Sequence, residues 1–340
     1  VATWAKFGYN SCDVDLPRIA KIKRDFKVSR ISFENIQKRP VVGVSLGPHV
    51  LGAAYCHPNP THVISQLNGV CKRMAVQPPV VNPITLDSIR SFVKEWLIVN
   101  MLPLSPDVDV SVEAWLAKTF YPDKRKIYLR ELHHRVANNR PDLCDCIHTY
   151  IKAFVKDEGY KNYKYPRGIY SRSDTYKTMI GPITRLIEEK LYKHPSFIKH
   201  IPVRDRAKYI FDKLYRTGAT YIATDYTSFE SHFSEEIQLA IEHQLYEYMV
   251  SQLPSGGEWL KFMEQLLKLN TVYFKDMKMK LPASRMSGEM NTSLGNGFTN
   301  LMIFLYINNK LGNEHYDCVV EGDDLLGVLE GRCPTREYYA

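Results

Sequence analysis

Eight residues constrain this chain more than any others: Val319-Val320-Glu321-Gly322-Asp323-Asp324-Leu325-Leu326. Two apolar, β-prone runs flank a glycine and adjacent acids. That pattern predicts an antiparallel hairpin, because glycine supplies the backbone freedom a tight reversal needs. A fold that buries the two runs must hold like charges at one sheet edge. Acids at a strand turn are common, so the hairpin alone carries no chemistry.

Two upstream segments change that. In Thr220-Tyr221-Ile222-Ala223-Thr224-Asp225-Tyr226-Thr227-Ser228-Phe229-Glu230, a β-prone run ends in an acid and a second acid follows. Ser287-Gly288-Glu289-Met290-Asn291-Thr292-Ser293-Leu294-Gly295-Asn296 fits S-G-x-x-x-T-x-x-x-N at every specified position. Together the three segments resemble the catalytic palm of a positive-strand RNA virus RNA-dependent RNA polymerase. The wording from Arg285 to Asn296 is most like the tombus-like branch. Asp225 and Glu230 fall in that family's motif A, Ser287 to Asn296 in motif B, and Gly322-Asp323-Asp324 in motif C.

The resemblance implies an α+β right-hand polymerase fold with an RRM-like palm built on an antiparallel sheet. Residues 1–210 would be fingers and 211–340 palm, with the thumb missing, since few residues follow Asp324. It implies that Asp225, Asp323 and Asp324 are catalytic and ligate Mg²⁺, for which Mn²⁺ can substitute. Glu230, Ser287, Gly288, Thr292 and Asn296 would contact ribose and nucleotide. Position 230 departs from the family pattern, where Asp is usual. RNA template and product, NTPs and other viral replicase proteins would be partners. The host cytoplasm, at membrane-associated replication complexes, would be the location.

Elementary electrostatics agrees with a metal. Two unit charges ~4 Å apart repel by several kcal/mol at an effective dielectric near 20. Phosphoryl transfer with two bound cations uses such a carboxylate set.

Composition admits this reading without demanding it. The formal net charge is +8, and 44% of residues are hydrophobic, as in a folded protein with a mild preference for anionic partners. The seven cysteines show no framework spacing, which suits reduced thiols. Cys144 and His148, with His133 and His134 upstream, offer a conceivable metal cluster, although no second pair completes a zinc spacing. The sequence shows no cleavable leader and no apolar stretch near the ~20 residues of a membrane span.

Residues 1–110 read as irregular, broken by Gly47-Pro48 and His57-Pro58-Asn59-Pro60. Helices are predicted from Thr85 to Met101 and from Pro141 to Val155 by apolar spacing. Ser234-Glu235-Glu236 reads as a capped helix start, and Thr292, Asn296 and Asn300 recur on one helical face. Between Lys152 and Lys177, basic residues alternate with tyrosines. A solvated basic face has the same composition. The position upstream of motif A matches the family's basic motif F, which implies Lys156, Lys164, Arg167 and Arg172 as triphosphate or RNA contacts. A reverse transcriptase and a non-catalytic RNA-binding protein remain as alternatives.

Overall fold

The computed structural model describes residues 21–30, 60, 63–139, 150–156, 158, 164–267, 269–275, 277–335 and 338. Ten α-helices and eight strands lie among them. The helices are α1 (Val63–Arg73), α2 (Pro83–Asn100), α3 (Val112–Ala117), α4 (Asp123–Asn139), α5 (Asp174–Leu191), α6 (Val203–Leu214), α7 (Glu235–Ala240), α8 (Glu242–Val250), α9 (Gly256–Gln265) and α10 (Thr292–Lys310). The strands are β1 (Lys27–Arg30), β2 (Ile151–Val155), β3 (Gly168–Arg172), β4 (Thr220–Thr224), β5 (Leu269–Tyr273), β6 (Met277–Pro282), β7 (His315–Glu321) and β8 (Asp324–Glu330). They form two sheets, a mixed α+β arrangement.

The smaller sheet has the order β4-β8-β7 and is antiparallel throughout. Strict alternation in β7 and β8 gives it two apolar faces. Cys318, Val320 and Leu325 join the main core with α10, α5, α8 and α2. Val319 and Val328 turn the other way, against Leu214 at the end of α6. The β7 edge is occupied as well: Val320 N–H donates to Ser196 O at 2.7 Å and Ile198 N–H to Val320 O at 3.3 Å.

The larger sheet, β1-β6-β5-β2-β3, is antiparallel except where β2 and β5 run parallel. Its own core packs under α1. Because β5 and β6 follow β4 in sequence yet pair with β1 and β2, the two sheets interleave along the chain.

Several predicted elements are found. Helix α2 starts at Pro83, with the Asn82 side chain accepting from Ile84 N–H at 2.9 Å, the favoured arrangement for a first turn. Ser234 caps α7 by accepting from Ile237 N–H. The apolar stripe after it is divided, because Ile241 leaves helical geometry between α7 and α8. One expectation is corrected. Residues 151–155 form strand β2, not the end of a helix. A short apolar run is ambiguous by periodicity alone, and pairing of Ile151–Val155 with β3 decides it. The remainder of that predicted helix, with Cys144 and His148, lies outside the described residues. Of the cysteines, Cys71, Cys318 and Cys333 are free. Among the described residues no helix is long and apolar enough to cross a membrane.

Candidate active site

The site begins with a two-residue turn. Glu321 pairs with Asp324 in the β7–β8 register, which leaves Gly322 and Asp323 as the loop. Gly322 has φ +63° while Asp323 has a negative φ, the signature of a type II′ hairpin and a position where a side chain is strained. The sequence therefore folds here as its pattern predicts, with both acids at the tip and exposed.

Register brings the third acid to them. Thr224, the last residue of β4, is level with Leu325, so Asp225 directly after the strand comes out at the end of the sheet that carries Asp323 and Asp324. Their proximity shows in the chemistry. The Asp324 carboxyl is held above its usual range by partial burial, then by the negative charges of Asp323, Asp225 and Glu321. These carboxylates fit a hard divalent cation by donor type and by the charge they accumulate. Among the described residues no three His, Cys, Asp or Glu side chains already converge on one ion.

Helix α10 fixes the turn from below. The fully buried Asn300 donates through Nδ2 to Asp323 O at 2.9 Å and to Gly322 O at 3.4 Å. Asn300, on the same helical face as Thr292 and Asn296, thus holds the turn backbone. One helical turn earlier, Asn296 is 5% exposed and its Oδ1 has no partner. An acceptor buried without a donor costs free energy, so Asn296 is a candidate for binding a ligand hydroxyl. Thr292 donates to Met286 O at 2.7 Å and so ties α10 to the preceding loop.

Behind the turn, Arg206 of α6 donates to both carboxylate oxygens of Glu321, at 2.7 and 3.3 Å. Nothing in the local sequence pattern signals this pair. Nor does any signal the buried network under the start of α10. There Arg285 pairs with Glu242, and Asn291 Nδ2 donates to Glu242 at 3.2 Å and to the Tyr246 hydroxyl at 3.1 Å. Burial pushes the Arg285 guanidinium down to about 10, so it stays protonated at neutral pH.

Glu230 sits in a 3-10 turn, Phe229–His232, after Ser228. Ser228 has φ +58°, an uncommon conformation for a residue with a side chain. Ser231 locks it, donating from both N–H and Oγ to Ser228 O at 2.8 Å. The Glu230 charge is felt by both Tyr170 of β3 and Arg285, which places it near the start of the S-G loop. In that loop Ser287 Oγ donates to Gly168 O at 3.1 Å. Gly288 N–H donates to Tyr170 O at 3.0 Å.

The basic candidates divide. Lys156, Lys164 and Arg167 are exposed, and Lys156 and Arg167 flank Glu158 at 3.0 and 2.7 Å. Arg172 is turned inward, its side chain 3% exposed and paired with Glu289.

Comparison with known proteins follows the same lines. A family described as "Viral RNA dependent RNA polymerase" matches residues 72–335, from within α1 to beyond β8. The chain is 30% identical over 205 residues to the RNA-directed RNA polymerase of Oat chlorotic stunt virus, covering 53% of this chain and 27% of the relative. The corresponding protein of Tobacco necrosis virus is 29% identical over 192 residues, 50% of this chain and 26% of the relative. That of Cucumber necrosis virus is 30% identical over 199 residues, 54% and 24%. The match thus spans about a quarter of the length of these relatives.

Proposed function

The chain belongs to the viral RNA-dependent RNA polymerase family, and from that premise we propose that the Gly322–Asp324 turn and the end of β4 form its nucleotidyl-transfer centre. One observation supports the reading: β4 ends, one residue before Asp225, at the same end of the sheet as the turn that holds Asp323 and Asp324. The reaction is template-directed addition of ribonucleotides to an RNA 3′ end, in replication and transcription of a viral RNA genome. Asp225 and Asp323 are the principal ligands for Mg²⁺ and Asp324 the secondary one. When bound, the metal pair stabilises charge on the attacking and leaving oxygens.

The chain's own groups position the reactants. Asn300 holds the Asp323 backbone and so fixes where that carboxylate points. Asn296 Oδ1, buried and without a donor, accepts from the ribose 2′-hydroxyl, with Glu230 nearby as the second ribose contact. Ser287 and Gly288 line the nucleotide side, and the exposed Lys156, Lys164 and Arg167 neutralise triphosphate or RNA phosphates. Residues 1–210 form fingers and 211–340 palm, with strands β5 and β6 crossing to the fingers sheet. The polymerase acts in the host cytoplasm at membrane-associated replication complexes.

A second reading has one observation in its favour, the exposed Lys156, Lys164 and Arg167, which suit RNA binding without turnover. A non-catalytic RNA-binding protein would bind RNA in a salt-dependent way indifferent to the three acids. Primer extension on an RNA template with Mg²⁺ separates the two. Incorporation by the wild type that is lost in Asp323→Ala supports the polymerase. Equal incorporation by both, or RNA binding with no incorporation by either, removes it.

A further inference from the structure

Arg172 and Glu289 form a buried ion pair that the acids and amides of the site leave unexplained. Their side chains are 3% and 8% exposed. The same guanidinium donates from Nη2 to Asn270 Oδ1 at 2.6 Å and lies 5.0 Å above the Tyr176 ring. One cation therefore joins β3, β5, α5 and the loop before α10.

The ion pair is the last rung of a ladder. Along β3, Gly168 O accepts from Ser287 Oγ, Tyr170 O from Gly288 N–H, and Arg172 pairs with Glu289. Alternate residues of the strand thus hold three consecutive residues of the loop. The approach is close: a Cβ at Gly288 would stand 2.6 Å from Tyr170 O, nearer than real Cβ contacts come. Backbone bonds alone would let this loop shift along the strand. A charged pair does not, because its desolvated partners tolerate no substitute geometry.

Stability does not account for such a pair. Apolar residues of similar volume are often as stabilising as a buried ion pair, and specificity of arrangement is its better-attested use. What it would specify is visible in the chain's order. The β2–β3 hairpin carries Lys156 and Arg167 where its strands run into their connection, while the loop leads directly into α10 and Asn296. We propose that Arg172 and Glu289 are positioning residues that fix the phosphate-binding hairpin in register with the ribose-selecting helix. This rests on the polymerase reading above.

The test is single-nucleotide incorporation by the full chain carrying Glu289→Gln or Arg172→Lys, with thermal melting as the check on folding. Misplacing bound groups by about 1 Å can cost up to ~10²-fold. The expected result is a KM for the NTP raised on the order of tenfold, kcat within about twofold, and a lower preference for ribo- over deoxyribonucleotides. A folded variant with lowered Tm but unchanged KM and unchanged preference would make the pair a strut and overturn the proposal. The paired replacement Arg172→Met with Glu289→Leu, which preserves bulk, covers the case in which neither single variant folds; wild-type KM and preference there overturn it equally. Wild-type protein that incorporates nothing condemns the polymerase reading, and the ladder's proposed role with it. Normal wild-type turnover with indifferent variants condemns the ladder alone.

Discussion

The acid turn and the basic hairpin serve one proposed reaction but are built in opposite ways. The acids sit on a sheet whose two faces are both packed, and their positions follow from backbone register and one left-handed glycine. Of the basic residues, Lys156 and Arg167 share Glu158 at the surface, while Arg172 is inside. The difference teaches that the acids take their positions from strand register, whereas the exposed cations take theirs from side-chain ion pairing at the surface. On the proposed reading this sets a rigid acidic centre beside an exposed, ion-paired basic rim.

The largest effects should come from the rigid side. Asp323→Ala is expected to reduce incorporation on the order of 10⁴-fold, some 5 kcal/mol of barrier, read by primer extension. Asp323→Asn should be as inactive yet melt no lower than wild type without metal, since it removes repulsion from Asp324. Beneath the site, Glu242→Gln leaves the buried Arg285 charge uncompensated and should cost about 3–5 kcal/mol in denaturant unfolding.

The same core carries an acid sensitivity of its own. Burial lowers His243 from 6.5 to about 4, so the folded state resists a proton that the unfolded chain accepts. Its contribution is intact above pH 6.5 and lost progressively as pH falls towards 4, about 3 kcal/mol in all. His243→Leu should flatten the stability profile across that window. An unchanged slope would place the acid sensitivity elsewhere. Asn296→Asp is expected to lower discrimination for ribonucleotides by about tenfold, the scale of one buried hydrogen bond to a charged or neutral group, measured as a ratio of kcat/KM values.

Smallest of all, Lys156→Ala or Arg167→Ala should alter stability by under about 1 kcal/mol. Each should reduce the salt dependence of RNA binding by roughly one phosphate contact. A loss of several kcal/mol from either would erase the contrast between centre and rim.

How legible the molecule was in its sequence follows the same division. The hairpin, the Ser234 cap and α10 were readable because local pattern and tertiary role agree there. Strand β2 was not, because Ile151-Lys152-Ala153-Phe154-Val155 takes its identity from β3 and β5 rather than from its own period. The Arg285–Glu242 and Arg206–Glu321 pairs join residues far apart in the chain, and nothing in either local stretch announces the other. The spacing of Thr292, Asn296 and Asn300 shows a shared face but not what each reaches, and Asn300 reaches the turn backbone. Arg172 could not be told from its neighbours by composition, because exposure and burial of a cation leave the same letter in the sequence.

The two-faced packing of β7 and β8 has a consequence for inheritance. A slip of one residue between β4 and β8 would send Asp324 to the opposite face of the sheet, so alignment of the acids depends on side chains packed in the core behind them. Val319 and Val328 below, and Cys318, Val320 and Leu325 above, act as the keying of a lock whose bolt is the acid turn. On the polymerase reading proposed above, activity is therefore open to loss through aliphatic substitutions in these strands even where every acid is kept.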